Sequence, residues 1–474
     1  MNLKVALLGL LLASVAALAV DSSAVAGSEK ETAKKLANSP SVLLYSTSGK
    51  REPWCPQRAH FCIGAAESEP IRKIANPFLK PVSGNYAVNE KDGTCTSKNF
   101  AEGATGLVVY LRDFKRKKWV RACQPRPQDG AKSFVIALEP GKQHRQNLIV
   151  SSSYPVEFIG APRPKKGERD LRPVIDCLDT IRDFNSMKSK GCNGVFKGTE
   201  LTIDGFVISA GKKDSTGKWK LAGSGAYRCI IGGVKKLIVR NVDLDACPHG
   251  IQLSAISAEF SKTQPKDDWR FTDGEWHISD SRFTNCSPNG YGKHHCIYSG
   301  KAHGLIKIRR FYGTSCGGHV VKSNSRMLDM EDFHIEDLTE KCDVNSPIHN
   351  NAGRKVRLVN GKIVQNKQPK QTNVGIFTSG GRTKKGFRCT GNTNGYWYFK
   401  NITVVDKIDK PYSPEQSENF YRARHVNLCT KLPKATFEDG GGNSFHWLSS
   451  EPIDLIPVLE IKKRKGKKNK KKRG

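Results

Sequence analysis

The stretch "HCIYSGKAHGLIKIRRFYGTSCGGHVVKSNSRMLDMEDFHI", residues 295–335, holds two kinds of apolar run in strict turn. The short kind is His-Cys-Ile-Tyr, then His-Val-Val-Lys; the longer kind is Leu-Ile-Lys-Ile, then Leu-Asp-Met-Glu with a second apolar anchor after a polar turn. Alternating apolar and polar residues mark half-buried strands, and no helical period competes with them.

The same two kinds extend in both directions. The longer runs are "LTIDGFVIS" from Leu201, "LIVRNVDL" from Leu237, "WHISDSRF" from Trp276, "LIKIRRF" from Leu305, "LDMEDFHI" from Leu328, "VRLVNGKI" from Val356 and "WYFKNITVV" from Trp397. Between them lie the short runs, with central apolar residues Ile230, Ile251, Ile297, Val321, Ile348 and Ile376. These centres are 21, 46, 24, 27 and 28 residues apart, and the long step holds the polar insertion "SAISAEFSKTQPKDDWRFTDGE". Paired short strands repeating every few tens of residues, with insertions at corners, predict an all-β parallel β-helix, in which each coil buries its apolar face only against its neighbours. A propeller needs longer four-stranded repeats.

Within this region "HCIYSG" followed by "GHVVKSNS" resembles the His-x-Ile-Tyr-x-Gly … Gly-His-x-x-Lys-Ser pattern of exported bacterial β-helix proteins of the pectate-lyase-like superfamily. The resemblance covers residues 133–410 and implies a right-handed coil. The Asp-rich triad of the polygalacturonase-type hydrolases is not found.

The rest of the chain divides around that solenoid. Residues 1–26 read as an export leader, with Lys4 before the apolar Val5–Val20 and small residues after it. No later segment is apolar and long enough to span a bilayer, so the expected mature protein is secreted or periplasmic without a transmembrane segment. Residues 27–132, with Cys55, Cys62, Cys95 and Cys123, read as a disulfide-stapled N-terminal region or cap. Residues 411–461 read as a C-terminal cap, and 462–474 as a disordered basic tail. The 14 cysteines, an even number with no Cys-x-x-Cys among them, suit disulfides better than zinc.

The net charge of +33 includes ten positive residues in the tail, and 33 − 10 leaves +23 on the remainder. Such a field gathers polyanions, and for an exported chain the natural partner is an acidic polysaccharide or another anionic polymer. Nucleic acid is disfavoured by the leader and by the lack of a regular aromatic stacking platform.

Stacking the short strands in register, about 4.8 Å apart, turns sequence into columns. Two positions before the centre stand Arg228, His249, His295 and His319; one after it stand Ile231, Gln252, Tyr298, Lys322, His349 and Phe377. Strict alternation puts the histidines inward as a structural ladder, whereas a bend at the preceding glycine or proline turns them outward. His294 has no counterpart in neighbouring coils and reads as a corner residue. Cleavage of a uronate polymer by β-elimination needs a cation on the carboxylate, a base for the C5 proton and an acid for O4. The candidate catalytic residues are therefore His295, Tyr298, His319 and Lys322, and the candidate substrate-binding residues are Arg228, His249, Gln252, Arg326 and His349. A lyase is favoured over a glycoside hydrolase, because nothing singles out a carboxylate pair. The sequence singles out no cofactor, and Asp243, Asp245, Asp280, Asp329, Glu331 and Asp332 leave a Ca²⁺ site open. The alternative is a β-helix without enzymatic activity, binding an anionic wall or matrix polymer through its basic surface and tail.

Overall fold

The structure is a computed structural model describing residues in stretches from 53 to 447. Residues 1–52, 66–81, 128–130, 179–190, 222–227, 253–273, 289–293, 338–346, 367–376, 389–395, 407–425, 428–435 and 448–474 lie outside it, as do shorter gaps. The segments 1–26 and 462–474, expected to be a leader and a basic tail, and Arg326 fall among these undescribed residues. All regular elements that are described are strands, and no described helix is long and apolar enough to cross a membrane.

The main sheet has 23 described strands, and its pairings are parallel. Each coil contributes three strand positions. At the first, Leu201 pairs with Leu237, then Trp276, Ile306, Leu328, Val356 and Trp397. At the second, Leu244 pairs with Phe283, and Ile335 with Ile363 and then Val404. At the third, Ile230 pairs with Ile251, Ile297, Val321, Ile348 and Phe377. The arrangement is compatible with a parallel β-helix. Its centre is one continuous apolar cluster running from Phe61 to Val404, with Trp276 and Trp397 its largest side chains. Each strand leaves its inward face bare until the next coil covers it, so burial accumulates only by stacking.

Two details of register differ from the sequence expectation. The buried anchor opposite Trp276 is Ile306 and not Leu305, and the residue stacked on Ile348 is Phe377 and not Ile376. Thr378 therefore follows His349 in the polar column where Phe377 was expected. Both slips occur where two apolar residues are adjacent, and a one-residue slip reverses every side chain. Parallel pairing also continues past residue 410, through Thr436–Asp439 and Ser444–Trp447.

The corner after the first strand position is built from one column of left-handed residues. Gly205, Asn241, Asp280, Arg310, Asp332, Asn360 and Asn401 have φ of 80°, 55°, 51°, 47°, 55°, 51° and 53°. Asparagine and aspartate tolerate this conformation better than other non-glycine residues. The column is also self-bonded: Asn360 Nδ2 donates to Asp332 Oδ1 at 3.1 Å, and Asn401 Nδ2 to Asn360 Oδ1 at 2.9 Å. Arg310 fits through a two-pronged pair with Asp280 at 2.5 and 2.7 Å.

At the N-terminal end, Phe61–Ile63 joins the main sheet beside Phe134–Leu138. Ala87–Asn89, Thr94–Thr96, Gly106–Asp113 and Lys118–Pro125 form a separate antiparallel sheet. Cys95 and Cys123 staple it, and Cys55 pairs with Cys62. Gln124 ties it to the coils, donating to Ser152 Oγ at 2.8 Å and accepting from the Ser153 N–H at 2.7 Å.

The corner column makes a measurable claim. Asp332→Val places a β-branched residue at positive φ and lowers unfolding free energy by about 1–2 kcal/mol in urea titrations. Asp332→Gly, free of that penalty, changes it by less than about 0.5 kcal/mol.

Candidate functional site

The third strand position carries the histidines. At its entry two consecutive side chains point into the core: Cys296 then Ile297, and Val320 then Val321. That doubling breaks the two-residue alternation. The residue before the pair and the residue after it then share the outer side. His295 accordingly lies against Tyr298, with ring centroids 5.3 Å apart, and His319 against His349 at 4.6 Å. The histidine column is therefore on the outer side of the strands.

Outward does not mean exposed. Arg228, His249, His295 and His319 are only 4, 6, 3 and 5 % exposed, while Tyr298 and Lys322 above them are half-buried. His249 and His295 centroids are 6.0 Å apart, and His295 and His319 4.9 Å. Lys322 Nζ lies 5.1 Å from the centre of the Tyr298 ring, a cation–π contact. Arg228 Nε donates to Gln252 Oε1 at 2.7 Å. Eight of the nine residues expected from the sequence thus converge on one outer surface; the ninth, Arg326, lies outside the described residues.

The sequence reading missed His294. The turn folds it back so that its ring sits 4.5 Å from His249, edge to face, and it is buried. Nothing in the pattern signals this, because His294 stacks on no equivalent residue in another coil.

Hydrogen bonds link the ladder through the backbone. The His295 N–H donates to His249 Nδ1 at 3.3 Å, and the His319 N–H donates to His295 Nδ1 at 3.0 Å. Close approach depends on Gly318, at φ +70°, where a Cβ would stand 1.6 Å from the His294 carbonyl oxygen and 2.7 Å from His295 Nδ1.

The electrostatics point one way. Burial, then the positive neighbours His294, Arg228 and Lys322, push the His249 pKa down to about 2. Burial and Arg228 bring His294 to about 4. Burial holds His295 well below the ordinary value, with His319, Lys322, His249 and His349 adding to the effect. Burial also lowers Lys322, and brings Arg228 to about 10. No carboxylate contributes to any of these shifts. The strand segments at this position, Leu148–Ser151, 191–195, 228–231, His249–Gln252, Ile297–Tyr298, Val321–Ser323, Ile348–Asn350, Phe377–Ser379 and Val426–Asn427, contain no Asp or Glu.

The carboxylates lie elsewhere, mostly held by arginines. Asp243 binds Arg163 and Arg172, Asp329 binds Arg309 and Arg357, and Glu331 binds Arg357. Asp280 pairs with Arg310, Asp332 accepts from Asn360, and Asp245 from Thr284 and Asn285. Among the described residues no group of three or more His, Cys, Asp or Glu is placed to hold a metal ion. The Ca²⁺ reading gains no support, because these oxygens are spent on arginine, amide and hydroxyl donors.

Two disulfides brace the site: Cys229, next to Arg228, pairs with Cys247, two residues before His249, and Cys296, next to His295, pairs with Cys286.

Gly318→Ala should unseat His319 from His295, lowering the melting temperature and shifting the histidine ring resonances. Acid should weaken the fold. Both His249 and His294 have folded pKa values below the roughly 6.5 of an unfolded chain, so unfolding takes up protons as pH falls. Their contribution is complete above about pH 6.5 and is lost below it, for His294 down to about 4, at up to about 1.4 kcal/mol per pH unit per ring. Urea midpoints across that range check the slope, which His294→Gln should flatten. No protein-family model, curated protein or solved structure matches this chain.

Proposed function

We propose that this chain is an exported right-handed parallel β-helix of the pectate-lyase-like kind that acts on an acidic polysaccharide, by β-elimination, at the third strand position. The observation that carries the reading is one outer surface holding Arg228, Lys322, Tyr298 and five histidines with no carboxylate in its strands. A surface of donors and cations without anions favours a polyanionic ligand, and the net charge of +33 gathers it from solution.

The chemistry asks three things of the surface. Arg228 and Lys322 are suited to neutralising the uronate carboxylate, which acidifies the C5 proton. A neutral imidazole then takes that proton, the C5–H electrons form the C4=C5 double bond, and the C4–O4 bond breaks. The departing O4 receives its proton from the Tyr298 hydroxyl. Burial favours uncharged imidazoles on this surface, holding His249, His294 and His295 neutral at pH 7. Gln252 and His349 flank the reacting residues as further contacts.

A second reading has its own support. The Nδ1 atoms of His249 and His295 already accept backbone hydrogen bonds, which suits a site that binds a polymer without cleaving it.

Incubation with polygalacturonate, alginate and glycosaminoglycans, following ultraviolet absorbance of the unsaturated uronate, separates the two. Turnover is expected on at least one polymer. Tyr298→Phe should then cut it by about 10²–10⁴-fold while binding persists. Salt-sensitive binding with no product on any polymer selects the binder. Absence of both discards the polysaccharide reading.

A further inference from the structure

The backbone hydrogen bonds to the imidazoles decide what those rings can offer. A ring whose Nδ1 accepts from an N–H must carry its lone pair there, so the neutral form has its proton on Nε2. The same bond recurs on successive coils, His295 N–H to His249 Nδ1 and His319 N–H to His295 Nδ1. Neither Nε2 makes a hydrogen bond to a described residue, and neither is a buried orphan. Two N–H donors, one coil apart, are therefore left without a hydrogen-bond partner among the described residues, beside Lys322 and Arg228.

We propose that His249 and His295 are fixed Nε2–H donors to successive acidic groups of a linear polyanion, each ring locked in that tautomer by the backbone N–H of the next coil. The proposal rests on the polysaccharide reading of the site and gives the histidines a defined part in it. The two rings stand on neighbouring coils with centroids 6.0 Å apart, so a chain lying along the column meets them in sequence. A ligand offering only acceptors fits this array, whereas a cationic or donor-rich ligand does not. His295 is thereby removed as the base for C5, since the lone pair a base uses is already engaged; the role passes to His319.

The environment agrees with the lock. His294, Arg228 and Lys322 face His249, while His319, His349, His249 and Lys322 face His295, and all of them oppose a second ring proton.

Histidine-selective ¹⁵N labelling of the whole protein tests this without any ligand. Two-bond ¹H–¹⁵N correlations at neutral pH should show both rings as Nε2–H tautomers, assigned through His249→Gln and His295→Gln, with no titration down to about pH 5. An Nδ1–H tautomer, or a midpoint near the ordinary 6.5 for either ring, overturns the proposal. Binding to polygalacturonate at low salt adds a second readout. His295→Phe should weaken it about tenfold or more, and His295→Gln, which restores an N–H near the Nε2 position, should recover most of the loss. Equal affinities for the two variants overturn the donor role. A wild-type protein that binds no acidic polymer overturns the polysaccharide reading alone, and the spectra still decide the tautomers.

Discussion

Everything in this molecule depends on the in-register parallel backbone ladder from coil to coil. A single coil cannot satisfy its own backbone N–H and C=O groups or cover its apolar face; both needs are met by the coils on either side. Because the ladder holds register over many coils, like positions stack upon like. That gives the core its continuous run from Phe61 to Val404 and the corner its column of left-handed residues. It also lets residues far apart in sequence share one surface: Arg228, His249, His295, His319 and His349 come together because their strands pair one after another.

Stacking carries an electrostatic cost that the chain meets differently on its different faces. Like charges on neighbouring coils repel, and at the first strand position arginines and carboxylates alternate, as in Arg309, Asp329, Arg357 and Glu331. The described strands at the third position hold no carboxylates, and repulsion there is relieved by keeping His249, His294 and His295 neutral, through burial and positive neighbours.

Much of the fold was legible in the sequence. Strict alternation of long and short apolar runs pointed to stacked parallel strands, and the single long step was correctly read as an insertion between paired neighbours Ile251 and Ile297. The histidine column and its neighbours were legible for the same reason, since equal spacing from a buried centre puts residues at equal heights. Where two apolar residues adjoin, as in Leu305-Ile306 and Ile376-Phe377, the pattern does not say which one points inward, and backbone pairing made the choice.

The sequence by itself determined the all-β character, the repeating strands, the polar columns and the excess of positive charge, because each follows from local pattern or from counting. Tertiary structure decided which way the histidines face. Two consecutive inward residues, Cys296-Ile297 and Val320-Val321, turn the preceding imidazoles outward, and the braced corner of Cys286 and Cys296 accommodates that bend. It also brought His294 into the cluster and set a backbone N–H of the next coil against Nδ1 of His249 and of His295. These features depend on atoms from a neighbouring coil, which no local pattern encodes.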